Sequence, residues 1–308
     1  MERSKLEYFR LLLKGMAMGA ADVVPGVSGG TIAFITGIYE ELLESISAIN
    51  LKILMFIKDH GFKSAWEKIN GNFLLILFVG IMISVFSLAR VITYAMDNYP
   101  IFVWSLFFGL VLSSAFLIGK AIKKWEYQNI LGFLVGVVIA FGITLMSPID
   151  SPSSLYYVFF SGAIAICAMV LPGISGSFIL LLMGSYTLVL NALNELDIII
   201  ISVFLLGCLF GLFSITKLLN QLFKKQKHLA IATLTGFLIG SLNKIWPWKI
   251  ILETRINSKG EAVPFIEQNV MPYNFPGEPK LFMALIIIFA AFGVVYFLDS
   301  RSTKNRLI

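Results

Sequence analysis

Two apolar stretches of the chain, residues 11–43 and 155–193, are each interrupted near the middle by Pro-Gly-x-Ser-Gly, at Pro25 and again at Pro172. Proline lacks the amide hydrogen that a helix interior needs and the following glycine favours a turn, so neither stretch runs as one helix. Six other runs carry no such break: 73–96, 101–119, 130–146, 198–216, 229–247 and 281–298. Each is close to the roughly 20 apolar residues that a helix needs to cross about 30 Å of hydrocarbon. Among them only Arg90, in the first run, and Lys244, in the fifth, are charged. The chain is 58% hydrophobic and 14% charged with a mean hydropathy of +0.86, against about 45–50% and about 25% in soluble domains. These figures predict an all-α polytopic membrane protein. They exclude a soluble enzyme, a disulfide scaffold and a nucleic-acid binder, whose basic residues would cluster on a water-facing surface.

The interrupted stretches are copies of one another. Val24-Pro25-Gly26-Val27-Ser28-Gly29-Gly30-Thr31 recurs as Leu171-Pro172-Gly173-Ile174-Ser175-Gly176-Ser177-Phe178, an offset of 147, at which Gly15 meets Gly162, Gly37 meets Gly184 and Tyr39 meets Tyr186. Phe86-Ser87-Leu88-Ala89-Arg90 recurs as Phe213-Ser214-Ile215-Thr216-Lys217 at an offset of 127, and Ala140-Phe141-Gly142 matches Ala291-Phe292-Gly293. The difference of 20 coincides with residues 51–70, where four lysines alternate with Phe56, Ile57, Phe62 and Trp66, the pattern of an amphipathic helix or helix pair on a membrane surface. Each half therefore reads as a broken hairpin followed by three spans, with repeat one at 6–147 and repeat two at 152–299. A hairpin returns the chain to the side it left and three spans do not, so the second repeat is inverted relative to the first, an architecture common in transporters.

Charge placement fixes the expected orientation. Four Lys or Arg precede Gly15, four lie in 51–70, three in 120–124, four in 217–227 and three after Asp299, which is 18 of the 24. The connections 97–100, 147–154 and 194–197 hold none, and the long segment 249–279 mixes both signs. By the excess of cations on cytoplasmic segments, both termini are expected inside, in the cytoplasmic membrane, with 249–279 outside. Met1 to Lys14 is too polar for a secretory signal, so the N-terminus is read as mature.

Irregular backbone at membrane depth survives only where it is buried in protein or lines a wet cavity. A re-entrant hairpin with arms of about 15 residues, about 22 Å each, sets its turn near the bilayer midplane. The second arm then opens at Ser28-Gly29-Gly30-Thr31, or at Ser175-Gly176-Ser177. Such a start offers free N–H donors, hydroxyls and the positive end of a helix dipole, and glycine lets an anion approach the backbone. The chemistry implied is binding of an anion such as phosphate. Two fully spanning helices joined by a tight turn, with glycines serving only close packing, remain the open alternative.

Arg90 and Lys217 occupy equivalent repeat positions, one toward each face, as an alternating path for an anion would require, although both are near enough to a span end to snorkel. Asp22 has Met169 as its counterpart; it is expected either to carry a coupling proton or sodium ion, to pair with Arg90, or to cap the turn. Glu40 and Glu41 stand at the cytoplasmic end of the first hairpin as candidate gating residues, while Tyr39 and Tyr186 read as interface anchors. Cys167 and Cys208 read as membrane-buried hydrophobes, and His60 and His228 join no metal or triad constellation, so no metal or cofactor is expected.

The run Gly15-Met16-Ala17-Met18-Gly19-Ala20-Ala21-Asp22-Val23-Val24-Pro25-Gly26-Val27-Ser28-Gly29-Gly30-Thr31, followed by Thr36-Gly37-Ile38-Tyr39-Glu40, resembles the signature of the bacterial polyprenyl-phosphate transporter family. The resemblance covers nearly the whole chain, its second motif being less distinctive alone. It implies a non-enzymatic flippase that returns undecaprenyl phosphate, the lipid carrier of peptidoglycan and other envelope polymers, to the inner leaflet. Its partners would be that lipid and the bilayer. The family assigns no binding residues here; the chemistry of the residues themselves places the expected headgroup between the two turns, Arg90 and Lys217. Two other readings share the broken hairpins. A polyprenyl-diphosphate phosphatase carries Pro-Gly-x-Ser-Arg-Ser, where this chain has Gly29 and Gly176 in place of the arginine. A small-anion or ion carrier would lack a groove open to lipid.

Overall fold

The computed structural model describes residues 3–24, 27–120, 122, 125–149, 154–256 and 262–305. Pro25 and Gly26 of the first turn, Lys123, Lys124 and Arg306 lie outside the described residues. Helix α1 (Lys5–Val23) starts on a capping box in which Ser4 Oγ accepts from the Glu7 amide at 3.3 Å and Glu7 Oε2 accepts from the Ser4 amide at 2.7 Å. It stops just before the proline, and the chain resumes as α2 (Gly29–Ile35) with Ser28 as its N-cap. Then α3 (Tyr39–Ala48), α4 (Leu51–Lys68, broken at Gly61), α5 (Gly71–Asn98), α6 (Pro100–Lys120) and α7 (Tyr127–Leu145) complete the first half. The second half runs α8 (Leu155–Val170), α9 (Gly176–Leu182), α10 (Ser185–Glu195), α11 (Ile198–Lys225) and α12 (Lys227–Ser241). Strands β1 (Lys249–Ile256) and β2 (Ala262–Asn269) precede the last helix, α13 (Leu281–Asn305).

The second arm of each hairpin departs from the expected 15 residues. Both α2 and α9 have seven, about 10 Å of helix, and two residues past the end of each stands an equivalent glycine in the left-handed region, Gly37 at φ 72° and Gly184 at φ 66°. Beyond the second of these the axis turns by 107° between α9 and α10. A β-carbon in that conformation crowds the following carbonyl and costs about 1–2 kcal/mol. Gly184→Ala is therefore expected to lower unfolding stability in detergent by about that amount. Gly142→Ala, within α7 where an added Cβ would meet nothing within 4 Å, is expected to raise it by about 0.5–1 kcal/mol.

Packing follows the repeat. Helix α1 lies along α5 and α8 along α11, while the later spans exchange partners between halves, α6 packing on α13 and α7 on α12. Glycines set these contacts at backbone distance. Gly15 faces the Leu77 carbonyl and its counterpart Gly162 the Phe204 carbonyl; Gly109 faces the carbonyl of Ile288, and Gly236 that of Phe133. Small residues at such faces let helices approach closely where lipid offers no hydrophobic drive to association. Among the described residues four helices, α6, α7, α11 and the 71–88 part of α5, are long and apolar enough to cross a membrane. Shorter apolar helices at Leu155–Val170 and Leu281–Phe297 accompany them. Large apolar side chains such as Phe86, Val138, Phe210 and Phe289 stand exposed around the perimeter, as lipid-facing residues do. The protein is an all-α polytopic membrane protein, and among the described residues its strands form one small two-stranded ribbon.

Two elements differ from expectation. The apolar run at 229–247 yields a helix that ends at Ser241, because the Asn243 side chain is tied to Thr144 Oγ1 at 2.7 Å and to Asn269 Nδ2 at 2.9 Å and the chain turns there. Residues 249–279, expected as a loop, contain the antiparallel β1–β2 ribbon, with a register irregularity between Ile251 and Glu253. Trp246 and Trp248 fasten it, donating from Nε1 to the carbonyls of Val270 at 2.9 Å and Pro279 at 2.8 Å.

Candidate functional site

The two hairpin turns meet. Ser28 Oγ donates to the Met169 carbonyl at 2.7 Å, the Gly173 amide donates to Thr31 Oγ1 at 2.8 Å, and the Tyr39 hydroxyl donates to the Val170 carbonyl at 3.1 Å. All three bonds join one half of the chain to the other, and the accepting carbonyls are those that α8 leaves unpaired as it ends at Val170. Ser28, Thr31 and Tyr39 are 0%, 1% and 2% exposed. Tyr39 is thus a buried cross-link and not the interface anchor expected from its sequence. Tyr186, its counterpart, is partly buried.

Within the first turn the donors at the start of α2 are taken. The Gly29 amide donates to Asp22 Oδ1 at 2.6 Å, the Gly30 amide to Ser28 Oγ at 3.1 Å, and the Thr31 amide to the Ser28 carbonyl at 2.9 Å. A carboxylate of the chain itself therefore occupies the position expected for a bound anion, and of the three expectations for Asp22 the capping one describes the geometry. In the second turn the counterpart is Met169, and Ser175 gives α9 no side-chain cap; its hydroxyl is 2.8 Å from that of Ser177. The two halves match in backbone and differ in charge.

The glycines also play a different part from the one expected. A Cβ on Gly29 would fall 2.6 Å from Asp22 Oδ2, one on Gly30 2.7 Å and 2.8 Å from the Val170 and Met169 carbonyl oxygens, and one on Gly176 2.7 Å from the Ala165 carbonyl oxygen. They are spaces filled by the chain's own polar atoms. Arg90 and Lys217 are exposed on α5 and α11 and form no hydrogen bond or ion pair among the described residues. The expected Arg90 to Asp22 pair is absent, and neither cation joins the turns.

Glu40 and Glu41 bind across the structure at the first turn of α3. Glu40 pairs with Lys227 at 2.7 Å, joining the two halves, and Glu41 with Arg3 at 2.5 Å, with a bond from Asn70 Nδ2 at 2.6 Å. Beside them Glu40, Leu43, Glu44, Asn220, Phe223 and Lys224 line a recess of about 50 Å³.

Sequence reasoning missed a third polar cluster, at the base of the ribbon. Glu267 Oε2 lies 3.4 Å from both Lys244 Nζ and Lys249 Nζ. Burial lowers the Lys249 ammonium to about 7 against the pull of Glu267. Burial works to raise the Glu267 carboxyl, but the two ammonium groups outweigh it and hold it below the usual carboxylate range. Lys244 was visible as a charge at the edge of an apolar run; Lys249 and Glu267 come together only through the strand register, which sets Ile251 opposite Glu267.

Paired broken helices that meet at their turns inside a polytopic helical bundle are an architecture that many membrane transporters share. The chain belongs to the undecaprenyl phosphate translocase-like family, whose sequence profile matches residues 18–263. It is 45% identical over 303 residues, 97% of its length and 98% of the relative's, to a polyprenyl-phosphate transporter of Vibrio cholerae serotype O1 (strain ATCC 39315 / El Tor Inaba N16961). A polyprenyl-phosphate transporter of Staphylococcus aureus (strain NCTC 8325 / PS 47) is 31% identical over 256 residues, 77% of this chain and 85% of that one. No solved structure matches the chain. These relatives are named as transporters and not as enzymes, which sets the phosphatase reading aside.

Proposed function

We propose that the protein is a flippase that carries undecaprenyl phosphate across the cytoplasmic membrane and returns the carrier lipid to the inner leaflet for envelope synthesis. The observation that carries this reading is the direct contact between the two hairpin turns, made by Ser28, Thr31 and Tyr39 on one side and Met169, Val170 and Gly173 on the other. A charged headgroup cannot cross hydrocarbon unaided, whereas a prenyl tail need never leave it. Residues 6–147 and 152–299 act as inverted repeats, with 51–70 lying on the inner surface and 249–279 outside. Rocking them apart breaks the turn contact and opens Ser28, Gly29, Gly30 and Thr31, with Ser175, Gly176 and Ser177, to a headgroup entering sideways from lipid. Both turns are re-entrant in this reading.

Arg90 and Lys217, exposed among lipid-facing apolar neighbours such as Phe86 and Leu218, suit a headgroup that arrives along the helix surface. An intramembrane cation is costly without a partner, and a lipid phosphate would supply one. In proteoliposomes with labelled undecaprenyl phosphate, wild-type protein is expected to exchange the lipid between leaflets. Arg90→Ala and Ser28→Ala are expected to slow that exchange about tenfold, the loss of a single charge-assisted contact. Wild-type rates in both folded variants would remove the turns and the lateral cations from the mechanism.

A further inference from the structure

Among the described residues Lys244 and Lys249 share a single carboxylate, Glu267. The side chains of Lys244, Lys249 and Glu267 are 20%, 6% and 20% exposed, so two amines are largely enclosed around one carboxylate, and burial already draws Lys249 toward its neutral form. Buried charges are ordinarily paired. Both amines donate to the same oxygen, Glu267 Oε2, at 3.4 Å, longer than the about 2.7–2.9 Å of a short charge-assisted bond, so the two share one acceptor. Each amine also lies over one aromatic ring: Lys249 Nζ is 3.6 Å from the Trp104 ring centroid and Lys244 Nζ 4.4 Å from that of Phe178. Rings attract the cations but leave their charge unneutralised.

The position of the cluster suggests the missing partner. Phe178 belongs to α9, the short helix that begins at the second turn, and Ser241, three residues before Lys244, lies against Gly173 of that turn, its Oγ 2.8 Å from where a Cβ would stand. A continuous line of contacts thus runs from the ribbon base to the place where the hairpins meet. The short connections expected on the same face, 97–100, 147–154 and 194–197, contain no Lys or Arg, so the cations of that face are confined to the ribbon segment and its flanks. A cluster that served only to hold the ribbon would need one cation for its one carboxylate.

We propose that Lys244, Lys249 and Glu267 form an anion site on the ribbon side of the protein that takes a phosphate monoester, the headgroup of the lipid, before it reaches the turns. The assignment to a lipid headgroup rests on the transport reading above. The phosphate takes the two amines from Glu267 and holds both in their charged form, and Glu267 reclaims them when the headgroup moves on.

The test is a titration of purified protein in detergent with farnesyl phosphate, farnesol and inorganic phosphate, read by tryptophan fluorescence, since Trp104, Trp246 and Trp248 are three of the five tryptophans and lie at or beside the cluster. Farnesyl phosphate is expected to bind saturably and farnesol not to. Lys249→Met and Lys244→Met are expected to weaken binding about tenfold or more, whereas Glu267→Gln, which removes the competing carboxylate, is expected to tighten it. A purely structural cluster would give the opposite sign for Glu267→Gln, so weaker binding in that variant, or unchanged binding in all three folded variants, overturns the site. Inorganic phosphate binding as tightly as farnesyl phosphate overturns the headgroup assignment. Wild-type leaflet exchange measured alongside separates the two readings: exchange with unaltered binding in the variants removes the site alone, and binding without exchange removes the transport reading alone.

Discussion

Leucine in place of Gly30 is expected to separate the two hairpins and abolish leaflet exchange, at a cost of about 2–4 kcal/mol in stability. Its Cβ would stand 2.7 Å and 2.8 Å from the Val170 and Met169 carbonyl oxygens. Those oxygens are backbone atoms at the end of α8 and are already held by Tyr39 and Ser28. Neither can give way without breaking the bond it accepts, so the substitution costs two cross-links as well as the overlap. Thermal unfolding in detergent and exchange in proteoliposomes check it, with Gly142→Leu as a control where nothing lies within 4 Å of the added carbon. A Gly30→Leu protein that exchanged lipid at the wild-type rate would show that the turns need not touch.

Asp22 gives the second large effect and decides between two chemical roles. Its carboxylate accepts the Gly29 amide at 2.6 Å, and Asp22→Ala leaves that buried donor unpaired, at a cost of about 2 kcal/mol. Asp22→Asn keeps an oxygen acceptor and discards the charge. If Asp22 serves as a cap, the asparagine protein is expected to retain most of its stability and its exchange rate, while the alanine protein loses both. An asparagine protein that folds normally but no longer exchanges lipid, and no longer responds to a proton or sodium gradient, would instead make the Asp22 carboxylate the carrier of a coupling ion.

These outcomes turn on details that the sequence displayed unevenly. The hairpins were legible because Pro-Gly within an apolar stretch has one physical meaning and appears twice. Their second break was not: Gly37 and Gly184 were visible as a matched pair, but a glycine inside a mostly apolar stretch does not declare a positive φ. Arg90 and Asp22 looked like partners because few charges lie in the membrane, yet side-chain direction on α5 leaves Arg90 exposed, and a nearby amide served Asp22 instead. Tyr39 resembled an interface residue until the unpaired carbonyl of Val170 gave its hydroxyl a buried acceptor. The ribbon was concealed by its mixed charges, and with it the meeting of Lys249 with Glu267 across two strands. Local breakers and repeats are written in order along the chain; contacts between distant residues depend on which faces pack.

The exchange of partners among the later spans bears on how the protein is made. Helix α6 has its glycine face at Gly109 against the Ile288 carbonyl of α13, the last helix. During synthesis that face waits in the bilayer until almost the whole chain has been inserted, and α7 waits likewise for α12. Removal of α13 would therefore uncover the Gly109 face of α6, in the first half of the molecule.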